Sequence, residues 1–225
     1  MSIANRPTSQ ASRRTPIEAS PRMLLLLAPV LMFLGYAFHP DLPAGTAAAL
    51  DDLTDERGLY IATKLAVAFG SLLFVPLVLT IRHRAFPGRG RGLATVAAVL
   101  CTIGFICNGL SQSLWGYLLW FATEPGVDRT AGVAVVDAAQ NASMLPTLPV
   151  SFASVPVFAL GLLLLAIALW RAGTVPRWVP VLVVLVDLAS PVFPVGPVNL
   201  VTGAAVVVAF AVALNPSGTA SPVRR

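Results

Sequence analysis

Along the chain, apolar residues gather into six blocks separated by short polar connections. Met23 to Phe38, Leu93 to Phe121, Thr147 to Trp170 and about Gly196 to Leu214 carry no charge at all. Tyr60 to Thr80 carries Lys64 alone, and the shorter block from Trp178 to about Val192 carries Asp187 alone. A hydrocarbon core about 30 Å thick takes about 20 helical residues, and only helices or closed barrels satisfy every backbone group inside lipid. The pattern therefore predicts an all-α fold, a polytopic membrane helix bundle of six transmembrane helices. Residues 1–22 form a disordered basic tail, residues 23–214 the bundle, and residues 215–225 a second short tail.

The connections fix an orientation. Arg6, Arg13, Arg14 and Arg22 lie in the N-terminal tail, and Arg82, Arg84, Arg89 and Arg91 in the second connection. Arg171 and Arg177 lie in the fourth, and Arg224 and Arg225 at the end, while the two acidic connections hold Arg57 and Arg129. Twelve basic residues against two is a positive-inside bias that puts both termini in the cytoplasm. Five spans would break this pattern, so the short fifth block is kept as a span. No A-x-A cleavage site follows the first block at the right distance, so it is read as a retained helix rather than a signal peptide.

Finer features follow from composition. The acidic connection from His39 to Gly58 opens a helix that Thr46 is placed to cap. Ala62, Ala66 and Gly70 form a small-residue face for close helix packing. Trp115, Tyr117, Trp120 and Phe121 read as an interfacial aromatic belt, and residues 131–142 as a short surface helix. Thr147, Ser151 and Ser154 make a polar stripe for packing. Pro191, Pro194 and Pro197 break the helix between the last two spans.

Bulk composition agrees with a lipid setting. Charged residues make up 11% of the 225 and hydrophobic ones 56%, with mean hydropathy +0.81, whereas a soluble domain carries about a quarter charged. The net charge of +5 is spread over tails and turns instead of one folded face, which excludes nucleic acid as a partner. Cys101 and Cys107, six residues apart on one helix, lie about 9 Å apart in rise, too far for a disulfide.

The turn Trp170-Arg171-Ala172-Gly173-Thr174-Val175-Pro176-Arg177-Trp178 resembles one in small multi-pass membrane proteins of GC-rich bacteria. The likeness covers under a tenth of the chain. It implies a bacterial cell-membrane setting and brings no catalytic residue with it.

An acid within an apolar span marks a functional site by default. Asp187 sits about 7 to 8 Å from the outer end of its span, and Lys64 about 6 Å from the outer end of its own, on a rise of 1.5 Å per residue. Equal depth predicts a Lys64–Asp187 ion pair. Asn108, Gln112 and Trp115 share a face of the third span, Asn199 begins the sixth, and His39 follows the first. Asp187, Lys64, Gln112, Asn108, Asn199 and His39 thus define the expected lining of a polar, ligand-binding cavity in the outer half of the bilayer.

No nucleophile with its base, phosphate-cradling loop or metal-ligand spacing occurs, and no cofactor or metal is expected. The acidic set Asp51, Asp52, Asp55 and Glu56 reads as a solvated face. Asn141-Ala142-Ser143 is a glycosylation sequon that acts only in a secretory-pathway host. The glycine- and arginine-rich turn at 88–92 suits anionic headgroups. The expected function is a small-solute carrier or ligand-binding membrane component whose partners are the bilayer and a small molecule or ion. Its rivals are an accessory subunit held by polar glue, and a membrane enzyme using His39 with the outer carboxylates.

Overall fold

The computed structural model describes residues 24–43, 45–86, 88, 90–141, 148–189 and 196–215, with only the backbone at 141, 148–154 and 189. Among these residues the chain is all-helical, without strands. Its helices are α1 (Leu27–Ala37), α2 (Thr46–Ala85), α3 (Arg91–Ala122), α4 (Arg129–Asn141), α5 (Leu148–Ala172), α6 (Trp178–Ala189) and α7 (Val198–Leu214). Residues 1–23, most of the second tail, the expected break at 190–195, Thr147, the side chains of Ser151 and Ser154, and most of the sequon lie outside what is described.

Among the described residues three helices are long and apolar enough to cross a membrane: α2, α3, and α5 from Val155 to Ala172. The helices α1, α6 and α7 are apolar but shorter; at 12 residues α6 is about 18 Å long. All-round apolarity shows on the outer faces, where Phe69, Leu79, Val96, Ile103, Leu160 and Val201 lie exposed. A bundle solvated by water buries such residues; one solvated by lipid need not.

The acidic connection and second block form one 40-residue helix, α2, about 60 Å long. No proline interrupts it before Pro76, and Glu56 marks a kink with φ −111° and ψ 15°. Thr46 is its first helical residue, not its cap. That position falls to Gly45 at φ 100°, backbone that disfavours any side chain. The Thr46 hydroxyl instead donates to Asp137 of α4.

Six helices close a ring in chain order: α1 packs on α2, α2 on α3, α3 on α5, α5 on α6, α6 on α7, and α7 on α1. Helix α4 sits outside it, against the ends of α3 and α2. There Leu50, Leu53, Tyr60, Leu119, Ala122 and Val136 form a second small core, fastened by ion pairs Arg57–Glu124 and Arg129–Asp51. Arg57 also stacks 4.2 Å from the Trp120 ring centroid and donates to the Trp120 carbonyl at 3.0 Å. Trp120 of the expected aromatic belt is therefore an anchor for this cap, while Tyr117 and Phe121 are exposed.

Glycines set the closest helix crossings. A Cβ at Gly104 would lie 2.5 Å from the Phe158 backbone nitrogen, and one at Gly161 would lie 2.6 Å from that of Cys101. Helices α3 and α5 thus approach backbone to backbone, as small residues permit in membranes. Gly70 serves α2 in the same way, 2.5 Å from the Met32 nitrogen of α1. The expected partners of Gly70 are displaced, however: Ala62 is exposed, and Thr63, Val67 and Ser71 share the buried face.

Candidate functional site

On the ring axis lies a cavity of about 50 Å³ to which all six ring helices contribute. Phe33 and Tyr36 come from α1, Phe74 from α2, Phe105 from α3, Phe158 from α5, Asp187 from α6 and Phe210 from α7. Phe74 stacks on Phe105 at 4.4 Å, Phe105 on Phe158 at 5.4 Å, and Phe210 meets Phe74 edge-on at 5.8 Å. These rings pack against one another around the cavity. Its volume admits roughly four water-sized groups.

Asp187 gives this apolar space its one acid. Its Oδ1 is buried and has no hydrogen-bond donor. A carboxylate oxygen left unsatisfied in an apolar interior costs several kcal/mol. The cavity's other polar group, the Tyr36 hydroxyl, is bonded to Asn108, and Asn108 Nδ2 donates to Ser71 Oγ at 2.8 Å. Ser71 in turn donates to the Val67 carbonyl at 2.8 Å. This chain joins α1, α3 and α2, and it fixes the Tyr36 ring without using Asp187.

The expected Lys64–Asp187 ion pair is not formed. Among the described residues the ion pairs are Arg57–Glu124 and Arg129–Asp51. Lys64 Nζ donates to Gln112 Oε1 at 2.9 Å and lies 5.4 Å from the Tyr60 ring centroid. The physical reason is depth as well as azimuth: Phe74 of α2 lines the cavity with Asp187, and Lys64 lies ten residues before it on the same helix, about 15 Å in rise. Lys64 packs over Gly116 of α3, whereas α6 lies between α5 and α7. The expected equal depth of the two charges is therefore not found.

The other expected site residues divide accordingly. Asn108 reaches the cavity through Tyr36, and Gln112 belongs with Lys64. His39 joins that second group: its Nδ1 lies 3.1 Å from Thr63 Oγ1, and its ring is 5.0 Å from that of Tyr60. Thr63 has a single hydroxyl hydrogen and donates it to the Tyr60 carbonyl at 2.8 Å. His39 Nδ1 must then be the donor, which fixes its tautomer. Burial, and secondarily the Lys64 ammonium, hold the His39 pKa down at about 4. Asn199, buried at the start of α7, bonds the Gly196 carbonyl at 3.3 Å, and the Gly196 nitrogen donates to the Tyr36 carbonyl at 3.0 Å. The Gly196 amide thus ties the start of α7 to the end of α1, and Asn199 bonds within that start.

Sequence reasoning overlooked Tyr36 and the phenylalanines. Their one signal was depth: Phe74, Phe105, Phe158 and Phe210 fall within four different apolar blocks, away from the polar ends. Among the described residues that line the cavity, Asp187 and Tyr36 carry the polar groups. Comparison with protein families, with curated proteins and with solved structures finds no match for the chain.

Proposed function

We propose that this chain is a six-span protein of the bacterial plasma membrane, both termini cytoplasmic, that binds a small solute around Asp187 as a carrier or ligand-binding component. The observation that carries this reading is the buried Asp187 Oδ1, without a donor, facing a cavity built by six helices. A group that costly is retained where something comes to satisfy it. The short α6 and the proline-rich stretch after it support the same view, since interrupted helices in the membrane accompany binding sites. The twelve-to-two charge bias supports the orientation.

The test is a solute screen by thermal unfolding on the protein in lipid nanodiscs, run on wild type and Asp187→Asn. At least one solute is expected to stabilise the wild type and leave the variant unmoved. A screen in which no solute separates the two would instead favour an accessory subunit. That second reading draws on the Lys64–Gln112 and Asn108–Ser71 bonds, which join helices and satisfy their own polar groups.

A further inference from the structure

We infer that the cavity takes a small amphipathic organic cation, a methylated ammonium carrying an N–H, with Asp187 as its counter-ion. This rests on the binding reading above and specifies the ligand class. Three properties of the cavity converge on it.

The first is charge. Asp187 supplies one anionic group, and the Tyr36 hydroxyl is already bonded to Asn108. A monovalent cation neutralises the site without leaving a surplus. The second is donor geometry. Asp187 Oδ1 is a buried acceptor without a donor, so the ligand must present an N–H or O–H to it. The third is the wall. Apart from Asp187 and the Tyr36 hydroxyl, the lining is Met, Val, Leu and Phe. A sodium or magnesium ion needs a shell of oxygen ligands, and this lining does not offer one. Methyl groups, in contrast, pack favourably on aromatic rings, and their positive charge is attracted to ring faces. The volume of about 50 Å³ limits the occupant to about four or five non-hydrogen atoms.

The experiment uses the full chain in nanodiscs of phosphatidylethanolamine and phosphatidylglycerol, with unfolding followed by tryptophan fluorescence at constant ionic strength. Trimethylammonium chloride is titrated beside sodium chloride and beside 2-propanol, a neutral molecule of the same heavy-atom count. Trimethylammonium is expected to raise the unfolding temperature saturably, with sodium and 2-propanol ineffective, and Asp187→Asn is expected to weaken its binding at least tenfold. Should Asp187→Asn fail to assemble, Val183→Phe fills the cavity while keeping the carboxylate, and it too must lose the protection. Persistent protection in Val183→Phe would overturn the inference.

If 2-propanol protects wild type and Asp187→Asn alike, the cation class is wrong and the cavity remains a binding site. If sodium protects as well as trimethylammonium does, the class is again wrong. If nothing protects, the cation and the binding reading fall together.

Discussion

His39 is neutral because its surroundings refuse a second proton: it is largely buried, its Nδ1 hydrogen is given to Thr63, and the Lys64 ammonium lies near. Its pKa is about 4 when folded, against about 6.5 in an unfolded chain. Between those values the unfolded chain binds the proton and the folded one does not, so stability is full above about pH 6.5 and falls as pH drops toward 4. The loss is at most about 1.4 kcal/mol per pH unit. Thermal unfolding across that window should show a slope in wild type that flattens in His39→Gln; equal slopes would remove the assignment. Lys64 gives a second residue-scale expectation. A double-mutant cycle on Lys64 and Gln112 should return a coupling of about 0.6 kcal/mol, and one on Lys64 and Asp187 nothing measurable. The sequence paired the two charges by an expected equal depth, whereas Lys64 lies about 15 Å in rise from Phe74, which lines the cavity with Asp187. Rise per residue is fixed by helix geometry, whereas the level at which each helix starts and the neighbours it meets depend on packing between distant parts of the chain.

Helix α3 is held on one side by α5 and on the other by α2, and glycine decides how near each can come. Gly104→Ala puts a methyl 2.5 Å from the Phe158 backbone, which cannot turn aside as a side-chain tip could. A loss of about 1–3 kcal/mol is expected, read as a lower unfolding temperature. Gly88→Ala, with nothing within 4 Å, should be silent. At the other end, α4 and the first turns of α2 form a cap outside the longest apolar stretches. Arg57 there combines an ion pair, a carbonyl bond and a ring contact. Arg57→Ala should speed amide exchange in α4 and in α2 before Glu56, leaving the spanning segments unchanged. The α4 helix was legible from sequence to within two residues at its start. Its docking was not, because Leu53 and Val136 lie far apart in the chain and neither announces its partner.

At the scale of the molecule, the charge bias predicts sidedness that labelling can read. A cysteine at Thr130 should react with an impermeant maleimide from outside intact cells, and one at Gly88 only after the membrane is opened. The reverse pattern would invert the topology. The apolar blocks made the helices legible, since lipid imposes backbone satisfaction and length on any spanning segment. The ring itself was not legible, nor was the aromatic cavity on its axis. Periodicity reports which face of a helix is apolar, and in a membrane every face is.

The wall between α1 and α7, where Gly203 lies against Phe33, joins the first of the described helices to the last. During synthesis that seam cannot be sealed until α7 has left the ribosome. A nascent chain halted after α6 therefore presents its lone carboxylate to an open flank. Such arrested fragments should be short-lived in cells, cleared by membrane proteases, whereas chains that include α7 persist.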